Sequence, residues 1–167
     1  MAFWRTYYHI IWTTKGREER ITPEREKTLL DFLLHKAHEM GVIVYAIAIL
    51  PDHVHLVVAI PPRLSVAHAV KHLKGASSHA FGKDFAWERG YGVMSFGESQ
   101  RARAMAYVQQ QSELHAQGRI NNWLERVDEY DAPPPDLGIK TEDIPTTLRE
   151  PGPTYYASGS STDEPIL

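Results

Sequence analysis

Two apolar segments joined by Pro51-Asp52 constrain the fold more than any other part of the sequence. β-Branched and aliphatic residues dominate residues 42–50 and again residues 54–60, a composition typical of strands. A Pro-Asp pair between two such segments is typical of a tight turn. The sequence therefore predicts a β-hairpin whose second strand lies within residues 49–60.

His53 and His55 stand at the start of the second predicted strand. Side chains alternate between the two faces of a strand, so both imidazoles point the same way and Val54 points to the opposite face. The rise across two residues is about 7 Å, which allows both rings to bind one metal ion. Paired histidines also occur simply as the polar face of a strand. In either case we expect both rings on an exposed face of the sheet.

The segments before the hairpin predict a strand and a helix. Residues 3–14 are rich in aromatic and β-branched residues, which indicates a strand, and residues 15–20 form a charged loop. Thr22 is suited to cap a helix with Pro23 at its first position, and Gly41 is suited to end it.

The segments after the hairpin predict a second helix, a short strand and a last helix. Ser65 is suited to cap the second helix, residues 82–92 read as a loop, and residues 91–96 read as a strand. A long helix is predicted from about Glu98 or Ser99 to Gln117. The predicted fold class is therefore α+β, a ferredoxin-like β-α-β-β-α-β sandwich with an added C-terminal helix that carries Tyr107.

Charge and composition divide the chain into two parts. Residues 1–130 hold 16 Lys and Arg against 14 Asp and Glu, together with all nine histidines. Residues 131–167 hold 2 Lys and Arg against 7 Asp and Glu, with many prolines, glycines and serines and no apolar periodicity. We predict one domain over residues 1–130 and an acidic tail over residues 131–167 that is extended or disordered.

Several classes of protein are excluded by the same composition. The chain has no cysteine, so neither disulfides nor thiolate zinc sites are expected. No apolar run approaches the length of a membrane span, so we expect no membrane partner. No basic-then-apolar signal pattern opens the sequence, and the expected location is the cytoplasm.

Two further groups of residues can carry chemistry. Tyr107 and Gln111 are four residues apart on the last predicted helix and would lie on one face. The run 71–78 contains Lys71, Lys74, Ser77 and Ser78, whose ammonium and hydroxyl groups suit phosphates. Considered alone, a tyrosine on a helix is more often part of a hydrophobic core than a nucleophile. Lysines on a helix more often form its solvent-exposed face than a phosphate-binding site.

The combination of these motifs is similar to that of one known family. Pro51-Asp52-His53-Val54-His55, the run 73–78, the run 107–111 and the N-terminal run 8–15 occur in the order found in that family. The chain resembles the HUH-type single-tyrosine transposases, which include insertion-sequence and REP-associated tyrosine transposases. The resemblance covers about residues 3–117.

The resemblance implies a role for each of the matching residues. His53 and His55 would hold a divalent metal ion, Gln111 would supply a third ligand, and Tyr107 would be the nucleophile. The family suggests Mg²⁺, whereas nitrogen ligands suit Mn²⁺ at least as well. Members of the family cut single-stranded DNA beside a hairpin, usually as dimers, and in insertion-sequence members one subunit's tyrosine helix completes the other's metal site. We therefore expect a homodimer that forms through the sheet and the last helix.

The function expected from the sequence is that of a transposase. It would cleave and rejoin single-stranded DNA at hairpin-flanked sites through a 5′-phosphotyrosine intermediate, as an endonuclease and strand transferase. Its expected DNA contacts are Lys15, Arg17, Lys71, Lys74, Ser77 and Ser78. Two alternatives stay open from the residues alone: a non-cleaving module that binds single-stranded nucleic acid, and a metal-dependent hydrolase in which Tyr107 is only structural.

Overall fold

A four-stranded antiparallel sheet forms the centre of the protein in the computed structural model, which describes residues 3–122 and 124–128. Its strands are β1 (Tyr7–Thr13), β2 (Ile43–Ile49), β3 (His53–Ala59) and β4 (Gly92–Phe96). They lie in the order β2-β3-β1-β4, and every neighbouring pair is antiparallel. This is the predicted ferredoxin-like arrangement, and the predicted fold class is confirmed.

The predicted hairpin consists of β2 and β3. The amide of Leu50 donates to the carbonyl of His53 at 2.8 Å, which closes the turn that contains Pro51 and Asp52. The pairing shifts between Val44 and Ala46, where β2 carries a bulge. The β3 strand is buried along its whole length, because β1 and β2 flank its edges and other elements pack on both of its faces.

The first two helices begin and end where the sequence predicts. Helix α1 spans Pro23–Met40; the Thr22 hydroxyl accepts a hydrogen bond from the Arg25 amide, and Gly41 ends the helix at φ 73°. That positive φ is accessible to glycine at little cost. Helix α2 spans Val66–Phe81 and is capped by the side chain of Ser65.

One face of the sheet packs against α1 and α2 to form the main core. On β3 the residues that point to this face are Val54, Leu56 and Val58. The other buried residues of this core are Ile10, Trp12, Ile21, Leu29, Leu33, Ala37, Val42, Ile60, Ala69, Val70, Leu73 and Phe85. Alternation along the strand therefore sends His53, His55 and Val57 to the opposite face.

The last helix is broken, whereas the sequence predicts a continuous one. A 3-10 turn at Glu98–Gln100 precedes α3 (Arg101–Gln109), and a separate helix α4 spans Gln111–Ala116. Gln110 between them has φ −93° and ψ 6°, outside the helical region. Polar glutamines at 109–111 give no apolar stripe that would hold one straight helix against the sheet.

Helix α3 covers the second face of the sheet. Val108 is fully buried there and packs with Ala46 of β2 and Val57 of β3. The last helix was predicted to help form a dimer, but Val108 on it belongs to the core of its own chain. The homodimer stays a prediction.

Two remaining expectations concern membranes and the tail. Within the part of the chain that the structure describes, no helix combines the length and apolar character needed to cross a membrane. The predicted acidic tail, residues 131–167, lies outside the described residues.

Candidate active site

His53 and His55 lie side by side on β3, as predicted, but they are buried. Their exposed fractions are 1% and 0%, so the expectation of an exposed face is wrong. The two rings are 4.9 Å apart between centroids. The groups that contact the two rings come from helix α3, helix α4 and the segment 124–128. The sequence pattern of β3 contains no information about these distant segments, so the burial could not be predicted from it.

Two further side chains, His115 and Glu125, converge on the two histidines. The Oε2 atom of Glu125 lies 3.3 Å from Nε2 of His55 and 3.7 Å from Nε2 of both His53 and His115. One ligand atom from each of the four residues lies within 4.8 Å of the others. Three imidazole nitrogens and one carboxylate oxygen are a donor set that can hold a divalent metal ion.

The hydrogen bonding of these atoms fits a metal site. Nε2 of His53, His55 and His115 and Oε2 of Glu125 are buried and have no hydrogen-bond partner among the described residues. Buried polar atoms are normally paired, and each unpaired one costs about 1–3 kcal/mol. A bound cation would satisfy all four atoms at once.

The far side of each ring is held by a second residue. Oδ1 of Asp52 lies 2.5 Å from Nδ1 of His53, and Nε2 of His9 lies 2.9 Å from Nδ1 of His55. When the ring proton is on Nδ1 and is donated to such a neighbouring residue, the Nε2 lone pair is free to bind a metal. The Asp52 carboxylate, which can only accept, therefore favours the coordinating tautomer at His53, and the contact with His9 permits it at His55.

Acid should destabilise the protein through His9. Burial, and then the nearby His55, lower the pKa of His9 from 6.5 to about 4. The His9 imidazole binds a proton more tightly in the unfolded chain than in the folded one. The contribution of neutral His9 to the free energy of unfolding is therefore fully present above pH 6.5 and is lost as the pH falls from about 6.5 towards 4. In EDTA we expect the free energy of unfolding to fall by about 2 kcal/mol more between about pH 7.5 and pH 5 in the wild type than in His9→Gln. Urea unfolding measures this, and equal pH dependence in both proteins would contradict it.

Tyr107 and Gln111 both reach this cluster from the second face. The Tyr107 hydroxyl donates to Oε1 of Glu125 at 3.0 Å. Gln111 is fully buried, its Nε2 donates weakly to the Tyr107 carbonyl at 3.4 Å, and its Oε1 is buried without a hydrogen-bond partner among the described residues. The pairing of the two residues was predicted from a continuous helix, but it is made across the break at Gln110.

The phenol of Tyr107 is not activated by a lowered pKa. Burial raises the pKa of Tyr107, the side chain of Gln111 lowers it, and the charge of Glu125 raises it, with a net rise. Near neutral pH the hydroxyl is therefore protonated. Chemistry at this oxygen requires removal of its proton.

Two of the predicted DNA contacts are used inside the protein. The Lys74 ammonium donates to the carbonyls of Glu88 and Gly90 at 2.9 and 2.5 Å, and burial lowers its pKa to about 8. Ser77 is fully buried and accepts a hydrogen bond from the Trp87 indole at 2.9 Å. A buried hydroxyl has no surface to offer to a phosphate, so Ser77 has a structural role here.

The other predicted contacts lie on two different faces. Lys71 is exposed and Ser78 is half-buried on α2, which packs on the face of the sheet opposite the histidines. Lys15 and Arg17 are exposed in a 3-10 turn, and the Arg17 guanidinium donates to the carbonyl of Glu125 at 3.2 Å. Of the predicted cations, Arg17 therefore lies directly beside the cluster.

Three residues of the site were missed by sequence reasoning. His115 follows Gln111 by four residues, a helical spacing that offered a signal. His9 follows Tyr7 and Tyr8 on β1, and its partner His55 lies on another strand, so the contact depends on the pairing of β1 with β3. Glu125 stands alone in a polar segment with no recognisable motif, so the sequence pattern offered no signal for it.

Comparisons with known proteins agree with the geometry. A family model described as "Transposase IS200 like" matches residues 2–111. The ISDra2 transposase TnpA of Deinococcus radiodurans is 30% identical over 115 residues, which are 62% of this chain and 82% of that protein. The transposase for insertion sequence element IS200 of Salmonella typhimurium is 27% identical over 126 residues, which are 69% of this chain and 82% of that protein.

Two solved structures are similar as well. A putative transposase from Deinococcus radiodurans R1 has a TM-score of 0.53 and 28% identity, and the match covers 66% of this chain and 95% of that one. A REP-associated tyrosine transposase bound to a REP hairpin has a TM-score of 0.55 and 15% identity, over 72% of this chain and 76% of that one. At 15% identity, the similarity to this second structure shows a shared fold alone.

Proposed function

Because the chain belongs to the family of IS200-like transposases, we propose that it cleaves and rejoins single-stranded DNA through a covalent bond between Tyr107 and a 5′ phosphate. The observation that carries this proposal is the hydrogen bond of 3.0 Å from the Tyr107 hydroxyl to Glu125, whose other oxygen lies among three imidazoles. A nucleophile and a set of metal donors thus meet at one place within a single chain.

The metal in this proposal is Mg²⁺ or Mn²⁺. His53, His55 and Gln111 would hold it, with His115 and Glu125 close enough to contribute. When bound, such an ion withdraws charge from a phosphate and stabilises a departing oxygen. Neutral imidazoles are better ligands for Mn²⁺ than for Mg²⁺, which prefers oxygen.

The chain's own residues define the reaction. The Tyr107 oxygen attacks the phosphorus of a phosphodiester, a P–O bond to Tyr107 forms, and the bond from phosphorus to the 3′ oxygen breaks. The electron pair leaves with the 3′ oxygen, which takes up a proton. The DNA remains attached to Tyr107 by its 5′ phosphate, and attack by another 3′ hydroxyl reverses these steps and joins two strands.

The DNA in this proposal is a hairpin with a single-stranded flank. A tyrosine transposase of the same fold is known with a REP hairpin bound. Arg17 is exposed beside the site, and Lys15 is exposed in the same 3-10 turn, so both are suited to bind the DNA backbone near the scissile phosphate. Lys71 and Ser78 would have to bind a part of the DNA that extends to the other face of the sheet.

Incubation with labelled DNA hairpins tests the proposal. We expect a labelled species that survives denaturation and disappears with protease, formed only with Mn²⁺ or Mg²⁺. Cleavage without that species would identify a hydrolase that uses water, and binding without cleavage would identify a nucleic-acid-binding module. Either result would overturn the proposed function.

Replacing Gln111 should raise the metal requirement. In Gln111→Ala the buried Oε1 is lost, and we expect the Mn²⁺ concentration for half-maximal adduct formation to rise roughly 10- to 100-fold, with part of the rate restored by excess Mn²⁺. Calorimetric titration should show the same weakening without DNA. Gln109→Ala, an exposed glutamine at the end of α3, is the control and should leave both quantities unchanged. An unaltered Mn²⁺ affinity in Gln111→Ala would place Gln111 outside the site.

A further inference from the structure

Glu125 connects the nucleophile to the metal donors. Its Oε1 accepts the hydrogen bond of the Tyr107 hydroxyl at 3.0 Å, and its Oε2 lies 3.3 Å from Nε2 of His55. The side chain is only 8% exposed. Among the described residues, no other carboxylate has one oxygen on Tyr107 and the other at the histidine cluster.

The fold holds Glu125 in place from three directions. Its amide donates to the carbonyl of Asn121 at 3.1 Å, and its own carbonyl accepts from Arg17 at 3.2 Å. A β-bridge joins Tyr91 to Asp128 just beyond it. This placement makes 124–128 a segment docked on the sheet.

Gly92 is what allows this docking. A Cβ atom at Gly92 would lie 2.1 Å from the carbonyl oxygen of Arg126 and 2.8 Å from Cγ2 of Ile11. Any side chain there would therefore force the backbone next to Glu125 away from β4. The absence of a side chain at Gly92 thus permits the observed position of Glu125.

We propose that Glu125 is a catalytic residue, whose Oε1 orients the Tyr107 hydroxyl and takes its proton as the phenol oxygen attacks phosphorus. The inference rests on the proposed function, because it assigns the proton of that reaction. Glu125 lies beyond residues 2–111, the segment that the family model matches, so the family likeness does not assign it.

Tyr107 needs such a base. Its phenol is protonated near neutral pH, and a neutral phenol is a weak nucleophile. The Tyr107 hydroxyl already donates to Oε1 of Glu125 at 3.0 Å, so the phenol hydrogen points at the oxygen that would take it. The phenol hydrogen becomes more acidic as the new P–O bond forms, which brings the transfer within reach of a carboxylate.

The proton balance closes over the two half-reactions. In cleavage the Tyr107 proton moves to Oε1 of Glu125, and the departing 3′ oxygen takes a proton from water. In joining, the attacking 3′ hydroxyl gives its proton to the solvent, which replaces the one taken from water in cleavage. The Tyr107 oxygen leaves phosphorus with the electron pair of the broken bond and recovers its proton from Glu125. No oxidant, reductant or further reactant is involved.

Glu125→Gln tests the proposal with almost no change of volume. At saturating Mn²⁺ we expect adduct formation to slow by at least ~100-fold, while hairpin affinity stays at the wild-type value. Glu113→Gln, an exposed carboxylate on α4, is the matched control and should react like the wild type. If excess Mn²⁺ fully restored the rate of adduct formation in Glu125→Gln, Glu125 would act only as a metal ligand, and the proposal would be overturned.

A fluorinated tyrosine at position 107 separates proton transfer from orientation. Its phenol is more acidic and depends less on a base, so the loss caused by Glu125→Gln should shrink at least ~10-fold in this background. An undiminished loss would mean that Glu125 only orients the ring, which contradicts proton transfer.

Gly92→Ala gives a second route that leaves Glu125 itself intact. Displacement of the 124–128 segment should slow adduct formation to a similar extent, whereas Gly97→Ala, where a Cβ meets nothing within 4 Å, should have no effect. Wild-type rates in both Gly92→Ala and Glu125→Gln would overturn the inference while the proposed function stands. Failure of the wild type to form an adduct would overturn the proposed function instead.

Discussion

Tyr107→Phe should abolish the covalent protein–DNA adduct and all cleavage, while hairpin and Mn²⁺ binding remain at wild-type levels. The change removes one oxygen and almost no volume, so packing on the sheet should survive. It also removes the donor to Oε1 of Glu125, at a cost of about 1 kcal/mol in the free energy of unfolding. Denaturing gels with labelled hairpins measure the adduct, and calorimetry measures the binding.

Tyr8→Phe is the matched control for this result. Tyr8 lies on β1 and packs against the core between the sheet and the first two helices, on the face away from the histidines. The same loss of a hydroxyl there should leave adduct formation unchanged. Substantial cleavage by Tyr107→Phe would show that another group attacks the DNA, and the nucleophile assigned here would then be wrong.

His55→Ala should abolish metal-dependent cleavage and also destabilise the fold. The ring is fully buried, so its removal leaves a cavity and deprives His9 of its hydrogen bond at 2.9 Å. We expect the free energy of unfolding to fall by roughly 2–4 kcal/mol and Mn²⁺ binding to disappear in calorimetric titrations. If His55 were exposed, its replacement would remove Mn²⁺ binding without lowering the free energy of unfolding.

Val58→Ala separates the two effects of the histidine change. Val58 is on the same strand and is almost fully buried, but it points to the core on the other face. Truncation there should cost roughly 1–3 kcal/mol in unfolding free energy and leave Mn²⁺ affinity unchanged. If His55→Ala binds Mn²⁺ as tightly as Val58→Ala does, the metal site lies elsewhere.

Local features explain why much of the fold was predictable. Thr22 and Ser65 accept hydrogen bonds from amides three residues on, and Gly41 ends α1 in a left-handed conformation, as short-range rules require. The hairpin around Pro51 follows from the same kind of rule. His53 and His55 share a face because strand alternation fixes it.

Contacts between distant segments explain what was missed. The break at Gln110 depends on how α3 and α4 fit the second face of the sheet, and that fit also buries the histidines. Glu125 enters the site because Gly92 leaves room for the backbone of Arg126, a relation between two segments that no periodicity encodes. The motif residues were therefore predictable, and the groups that position them were not.

Mapping the attachment site of the DNA tests the central claim most directly. Cleavage after Arg103 and Arg119 releases residues 104–119, a peptide whose single tyrosine is Tyr107. After reaction with a hairpin substrate and nuclease trimming, mass spectrometry should find this peptide with a nucleotide joined through its 5′ phosphate to Tyr107. An adduct on any other peptide, or cleaved DNA with residues 104–119 unmodified throughout the time course, would contradict the account.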